Sequence, residues 1–123
     1  MRTRITEYLP LSVLLLVICM AIPTAVCASE TGIAAYYSNV FHGRKTASGE
    51  RYNKNALTAA HNTYPFGTQL RVTNLDNNKN VIVKVNDRGP HTAGRIIDLS
   101  REAARQLGFI KQGLTKVTIE VIE

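Results

Sequence analysis

Apolar and polar residues alternate along two neighbouring stretches of this 123-residue chain. Across Thr68–Asn74, Leu70 and Val72 fall on one face and Gln69, Arg71 and Thr73 on the other; across Asn80–Asn86, Val81, Val83 and Val85 repeat the same period. A period of two belongs to a half-buried strand, and Asp76-Asn77-Asn78 between the two has the composition of a hairpin loop. Val117, Ile119 and Val121 predict a closing strand over Lys116–Ile122, and Ile33 with Tyr36-Tyr37 a short strand over Gly32–Tyr37, after a loose lead-in at Ser29–Thr31. One short helix is expected over Arg101–Leu107. Ser100 stands at its N-cap, Glu102 suits its first turn, Gly108 can terminate it, Ala104 and Leu107 face inward, and Phe109-Ile110 packs after it. Ser38–Leu57 is a long loop with little periodicity; such loops in small domains are functional or disordered, and Phe41, Tyr52 and Leu57 tie this one to the core and favour function. Thr58–His61 is a run of small residues, where Ala59 and Ala60 permit close backbone approach, and Asn62–Gly67 is a turn around Pro65. Five or six strands and one short helix make an all-β domain, a small barrel or sandwich; closure into a barrel removes exposed edges.

Residues 1–28 read as a segment apart. Arg2 and Arg4 precede the apolar run Leu11–Ile22, Pro23 ends it, and Val26-Cys27-Ala28 offers small residues before a cut. That is the form of a secretory signal peptide, and the run is short for a membrane span of about 20 apolar residues. The expectation is export to the cell envelope, periplasm or wall, with cleavage after about Ala28 and a domain over residues 29–123. Membrane attachment would follow only from a retained leader or from lipid on Cys27. Both cysteines, Cys19 and Cys27, lie in this segment, so the domain would be stabilised by its core without a disulfide; it is expected to be a monomer.

From Ser29 onward the chain carries 13 Lys and Arg against 8 Asp and Glu, a net charge of +5. A basic exported domain points to an anionic surface such as a cell wall. Nucleic acid is not an expected partner, because the basic residues are scattered and no basic patch is rich in aromatics. His42, His61 and His91 lack compact ligand spacing, so neither a metal nor another cofactor is expected.

The densest chemistry lies in Asn86-Asp87-Arg88-Gly89-Pro90, continued to Arg95-Ile96-Ile97-Asp98-Leu99-Ser100. Asp87 and Asp98 stand at opposite ends of what reads as one tight reversal, with Arg88 and Arg95 beside them. Carboxyl groups between cations and apolar walls are suited to acid–base work. On residue chemistry alone the structural reading is favoured over the catalytic one: Asp before Arg-Gly-Pro suits an ordinary turn, and Asp98 suits the approach to a helix.

Gly32-Ile-Ala-Ala-Tyr-Tyr, Phe41-His-Gly-Arg-Lys-Thr-Ala-Ser-Gly-Glu, Ala56-Leu-Thr-Ala-Ala-His, Pro65-Phe-Gly-Thr, Val72-Thr-Asn, Asn86-Asp-Arg-Gly-Pro and Arg95-Ile-Ile-Asp-Leu-Ser together resemble the rare lipoprotein A (RlpA) family, from about Gly32 to Glu123. The resemblance implies a six-stranded double-psi β-barrel and endolytic cleavage of peptidoglycan glycan strands, preferably free of stem peptides, leaving 1,6-anhydro-muramyl ends. It implies a catalytic set of Asp98, Asp87, Glu50 and His61, with Asp98 the counterpart of the catalytic Asp in related barrels; beside the apolar Ile96, Ile97 and Leu99, Asp98 is the candidate acid/base. Asn53, Arg88, Tyr37 and Tyr52 would hold substrate, the rings offering apolar faces to sugar C–H groups. One position departs from the pattern: Asn53 stands where better-studied members carry Asp, and Asn keeps hydrogen bonds to a sugar without transferring a proton. A non-catalytic, expansin-like wall-binding or wall-loosening domain is the alternative, and a barrel serving only as an interaction scaffold is a third.

Overall fold

The computed structural model describes residues 29–122; the expected signal peptide lies outside the described residues. The chain forms β1 (Ser29–Tyr36), a single 3-10 turn (Asn39–Phe41), β2 (Thr58–Ala60), β3 (Gln69–Asn74), β4 (Asn80–Asp87), β5 (Arg95–Leu99), α1 (Arg101–Leu107) and β6 (Leu114–Ile122). The six strands close into a barrel in the order β1-β5-β2-β4-β3-β6.

The β3–β4 hairpin forms as the alternation predicts. Leu70 pairs with Val83 and Val72 with Val81, and all four are buried. Asn78, at φ 64°, turns the loop between them. β6 then pairs with β3 on one side and β1 on the other, which seals the barrel. Val117 and Ile119 are fully buried and join Leu99, Ile97, Val85, Leu107 and Phe109 in one core.

Two expectations change here. Ser29–Thr31 is no loose lead-in: it is the head of β1, paired with Glu120, Ile119 and Thr118 of β6. Its polar residues gave no inward period, and its partner lies at the far end of the chain. Nor do Asp87 and Asp98 end one tight reversal. β2 lies between β4 and β5, parallel to the first and antiparallel to the second, so residues 88–94 cross over an inserted strand. β2 is only three residues long, too short to show a period, and its alanines are 1% exposed because neighbouring strands close over them.

Ser100 caps α1 by accepting from the Ala103 N–H at 3.2 Å, and Gly108, at φ 79°, ends it. Ala103, Ala104 and Leu107 face the core. On the exposed side Arg105 holds the Glu102 carboxyl down to about 2, with help from Gln106.

Candidate functional site

The barrel register builds the floor of the site. Ala60 of β2 is the partner of Asp98 on β5 and, past a bulge, of Asp87 on β4. Asp98, Ala60 and Asp87 therefore form one row across three adjacent strands. Two strand spacings set the aspartate backbones ~9–10 Å apart, with only a methyl group between them.

Tyr37, the first residue past β1, closes over this row. Its hydroxyl donates to Asp87 Oδ2. Burial, then that hydrogen bond, then the charges of Asp87 and Asp98 push the phenol far above its ordinary value, so it remains a donor. Asp87 Oδ1 accepts from the main-chain N–H groups of Ala47 and Arg88, each at 2.9 Å. Both oxygens of Asp87 are thus engaged and its plane is fixed. Asp98 is bound on one side only: Arg95 Nη2 donates to Oδ1 at 2.6 Å, and among the described residues nothing bonds Oδ2. Its side chain is 23% exposed.

Tyr52 lies beneath Tyr37, its ring stacked at 4.4 Å and 16°. It is 2% exposed, and its hydroxyl accepts from the Arg101 N–H at 3.0 Å, at the start of α1. Burial raises its phenol as well. Tyr52, expected to hold substrate, is nearly buried: its ring supports Tyr37, and it lines the same cavity as Tyr37 and Asp87. Of the adjacent pair, Tyr36 belongs to the core, packed edge-on to Phe109 and donating to the Ile110 carbonyl. Phe41, expected to tie its loop to the core, is instead 39% exposed and perpendicular to Tyr37, with the Arg44 guanidinium over its ring.

The remaining candidates are less close to the row. Glu50 lies across the Thr46–Glu50 turn, where Asn86 Nδ2 and Lys84 Nζ donate to its two oxygens at 3.1 Å each and hold its carboxyl below the usual range. It lines a cavity of about 310 Å³ with Phe66, Lys84 and Asn86; a separate cavity of about 240 Å³ is lined by Asp87, Tyr37 and Arg44. Residues 86 and 87 of β4 therefore each line a different cavity. His61 is joined to Asp87 through the main chain, its N–H donating to the Asp87 carbonyl at 3.1 Å. Its ring turns elsewhere. Nδ1 accepts from Thr63 and Tyr64 N–H, which leaves Nε2 to donate to Glu30 at 3.0 Å, and the ring stacks on Tyr64 at 4.2 Å. Arg88 places its main chain on Asp87, while its guanidinium donates to the His61 and Tyr64 carbonyls and lies 4.1 Å over the Phe66 ring. Asn53 is exposed, its Oδ1 accepting from the Asn55 N–H at 2.8 Å in a local turn.

Sequence reasoning did not find Glu30, Lys84, Asn86 or Phe66. Asn86 adjoins Asp87 in the densest motif, and that adjacency was the available signal; Glu30 pairs with a residue 31 positions away and left none. Among the described residues no group of His, Cys, Asp and Glu could hold a metal ion.

A double-psi barrel with an acidic row across three strands defines the class. A model of the lytic transglycolase family matches residues 29–119. The chain is 57% identical over 102 residues to an endolytic peptidoglycan transglycosylase RlpA of Campylobacter jejuni, covering 81% of this chain and 37% of that one. It is 55% identical over 92 residues to a probable endolytic peptidoglycan transglycosylase RlpA of Synechocystis, covering 75% and 29%. Among solved structures, Streptomyces papain inhibitor matches with TM-score 0.63 at 23% identity, over 78% of this chain and 96% of that one, a likeness of fold. The Clavibacter michiganensis expansin matches with TM-score 0.61 at 25% identity, over 78% and 51%. The chain belongs to the lytic transglycolase family of double-psi barrels, within the RlpA group. It spans about a third of the length of the curated relatives it matches.

Proposed function

We propose that this domain is an endolytic peptidoglycan transglycosylase, acting in the cell envelope after export, as a monomer, on glycan strands that lack stem peptides. The observation that carries the reading is the half-engaged Asp98, with one oxygen on Arg95 and one unbonded, in register with a fully engaged Asp87. The relatives' names supply the reaction class.

In this reading Asp98 gives its proton to the glycosidic oxygen as the bond to C1 of the muramic residue breaks. The resulting carboxylate takes the proton of that residue's own 6-hydroxyl, and O6 bonds to C1. The proton count closes, no water enters, and a 1,6-anhydro ring remains. Because one carboxyl group serves both transfers, the two-carboxylate spacing of hydrolases does not apply. Asp87, fixed by three donors, faces the positive charge that develops at C1. Glu50, held by Asn86 next to Asp87 in the chain, contributes to the field, and His61 acts through its main-chain hydrogen bond to Asp87.

The test is to incubate residues 29–123 with peptide-free glycan strands and to examine the products by mass spectrometry. Anhydro-muramyl ends from wild type that vanish in Asp98→Asn support the reading; sedimentation with walls and no such ends would retire it. A second reading, a glycan-binding domain without catalysis, is favoured by Asn53, which carries no transferable proton, and by the likeness to an expansin.

A further inference from the structure

We infer that Arg44 and Lys45 form a carboxylate-reading subsite beside the acidic row, and that its ligand is the free lactyl carboxylate of a muramic residue. The inference rests on the proposed glycan substrate and names the group on it that this cavity selects.

Arg44 and Lys45 line the cavity of about 240 Å³ whose other walls include Tyr37, Phe41 and Asp87. The arm that carries them is built rigidly. Arg44 N–H donates to the Phe41 carbonyl at 2.9 Å, Tyr52 N–H donates to the Arg44 carbonyl at 2.7 Å, and Lys45 bridges Arg51 across the arm. The Arg44 guanidinium is laid over the Phe41 ring, 5.1 Å from its centroid, which narrows its freedom before any ligand arrives. The described residues form ion pairs elsewhere, at Arg71, Lys84, Arg95, Arg105 and His61, yet neither Arg44 nor Lys45 has a carboxylate partner among them. Asp87 is the one acidic residue lining the cavity, and its oxygens are taken by Tyr37, Ala47 and Arg88. The cavity therefore holds two cations, one occupied anion and a partly exposed aromatic ring.

That combination suits a sugar bearing one carboxylate: Phe41 meets the ring's C–H face, and Arg44 with Lys45 meets the anion. On a muramic residue the lactyl group is a carboxylate when the stem peptide is gone and a neutral amide when the peptide is attached. The same two side chains would thus distinguish stripped from peptide-bearing strands by charge, independently of bulk. A carboxylate on the peptide itself is the other source of the same chemistry.

Three substrates separate the sources: stripped strands with the free lactyl acid, the same strands with that acid converted to its methylamide, and strands that keep their stem peptides. Wild type and the double variant Arg44→Gln/Lys45→Gln, each verified as folded by circular dichroism, are compared for kcat/KM of anhydro-end release. Wild type should prefer the free acid over the methylamide by about three- to tenfold, the scale of an exposed charge-assisted contact, with the preference shrinking as salt rises. The double variant should treat the two alike. Equal wild-type rates on both, a preference that survives in the double variant, or wild-type use of peptide-bearing strands as efficient as of the free acid would overturn the subsite. If no strand yields anhydro ends, cosedimentation reads the same comparison. A retained binding preference for the free acid, lost in the double variant, keeps the subsite while the catalytic reading fails; its absence overturns both.

Discussion

Tyr37 is where local chemistry and the site meet. Its ring rests on Tyr52 and its hydroxyl on Asp87, so one side chain couples the long loop, the floor of the barrel and the start of α1. Tyr37→Phe keeps the stack and removes only the donor. A hydrogen bond to a charged group is worth about 1.5–3 kcal/mol, so anhydro-end release should fall by roughly 10- to 100-fold with the circular dichroism spectrum unchanged. Single-turnover rates on stripped strands would check this, and an unchanged rate would remove Tyr37 from the site. Glu50 makes a different prediction. Its carboxyl is held low by Asn86 and then Lys84, so its contribution to stability is present above the ordinary carboxylate range and lost as pH falls through its lower folded value. Urea titrations at neutral and strongly acid pH should show wild type ahead of Glu50→Gln at the former and level with it at the latter. The group is exposed, so the gap should be small. A gap that persists in acid would assign Glu50 a role other than its charge.

Among the elements, the β1–β5 pairing tolerates little. A Cβ on Gly32 would stand 2.6 Å from Ile96 Cγ2 and 3.3 Å from the Gly94 carbonyl. Gly32→Ala should therefore cost about 1–3 kcal/mol in thermal unfolding, and Ile96→Ala in the same chain should recover part of the loss, since the methyl that clashes is then gone. Additive losses would place the strain elsewhere. Ser100→Ala, which removes the α1 cap, should cost about 1 kcal/mol by the same measurement. Elements were legible in the sequence in proportion to their one-sided burial. Val81, Val83 and Val85 alternate because β4 has one face in the core, and Ser100 with Gly108 marks the helix because caps are chemical. β2 was invisible as a strand because three small residues carry no period, and the head of β1 was misread because its polar residues pair with a strand almost ninety positions away. The candidate site was legible as residues and not as a place. Asp87 and Asp98 stand out in the sequence, but their shared row depends on β2 lying between them. The ring of His61 faces Glu30 for a reason no local pattern contains, and while Tyr52 was expected to pack inward, its stacking under Tyr37 follows from the fold of a loop without periodicity.

At the scale of the molecule, the closed barrel solves two problems at once. Among the described residues it leaves no strand edge unpaired, and it brings strands distant in sequence into register so that Asp87 and Asp98 stand in one row. On the proposed function, the net charge of +5 from Ser29 onward would draw the domain toward an anionic wall, and Arg44 and Lys45, without a carboxylate partner among the described residues, place positive charge at the cavity beside Asp87. Against the relatives the chain covers about a third of their length, and that third contains the whole barrel. Internal attack by the muramic 6-hydroxyl, with no water in the reaction, is the central chemical claim, and digestion of stripped glycan strands in ¹⁸O-water tests it most directly. Wild type should release fragments whose muramyl ends are anhydro rings without ¹⁸O, and Asp98→Asn should release none. Reducing ends carrying ¹⁸O at C1, or tight strand binding with no cleavage at all, would contradict it.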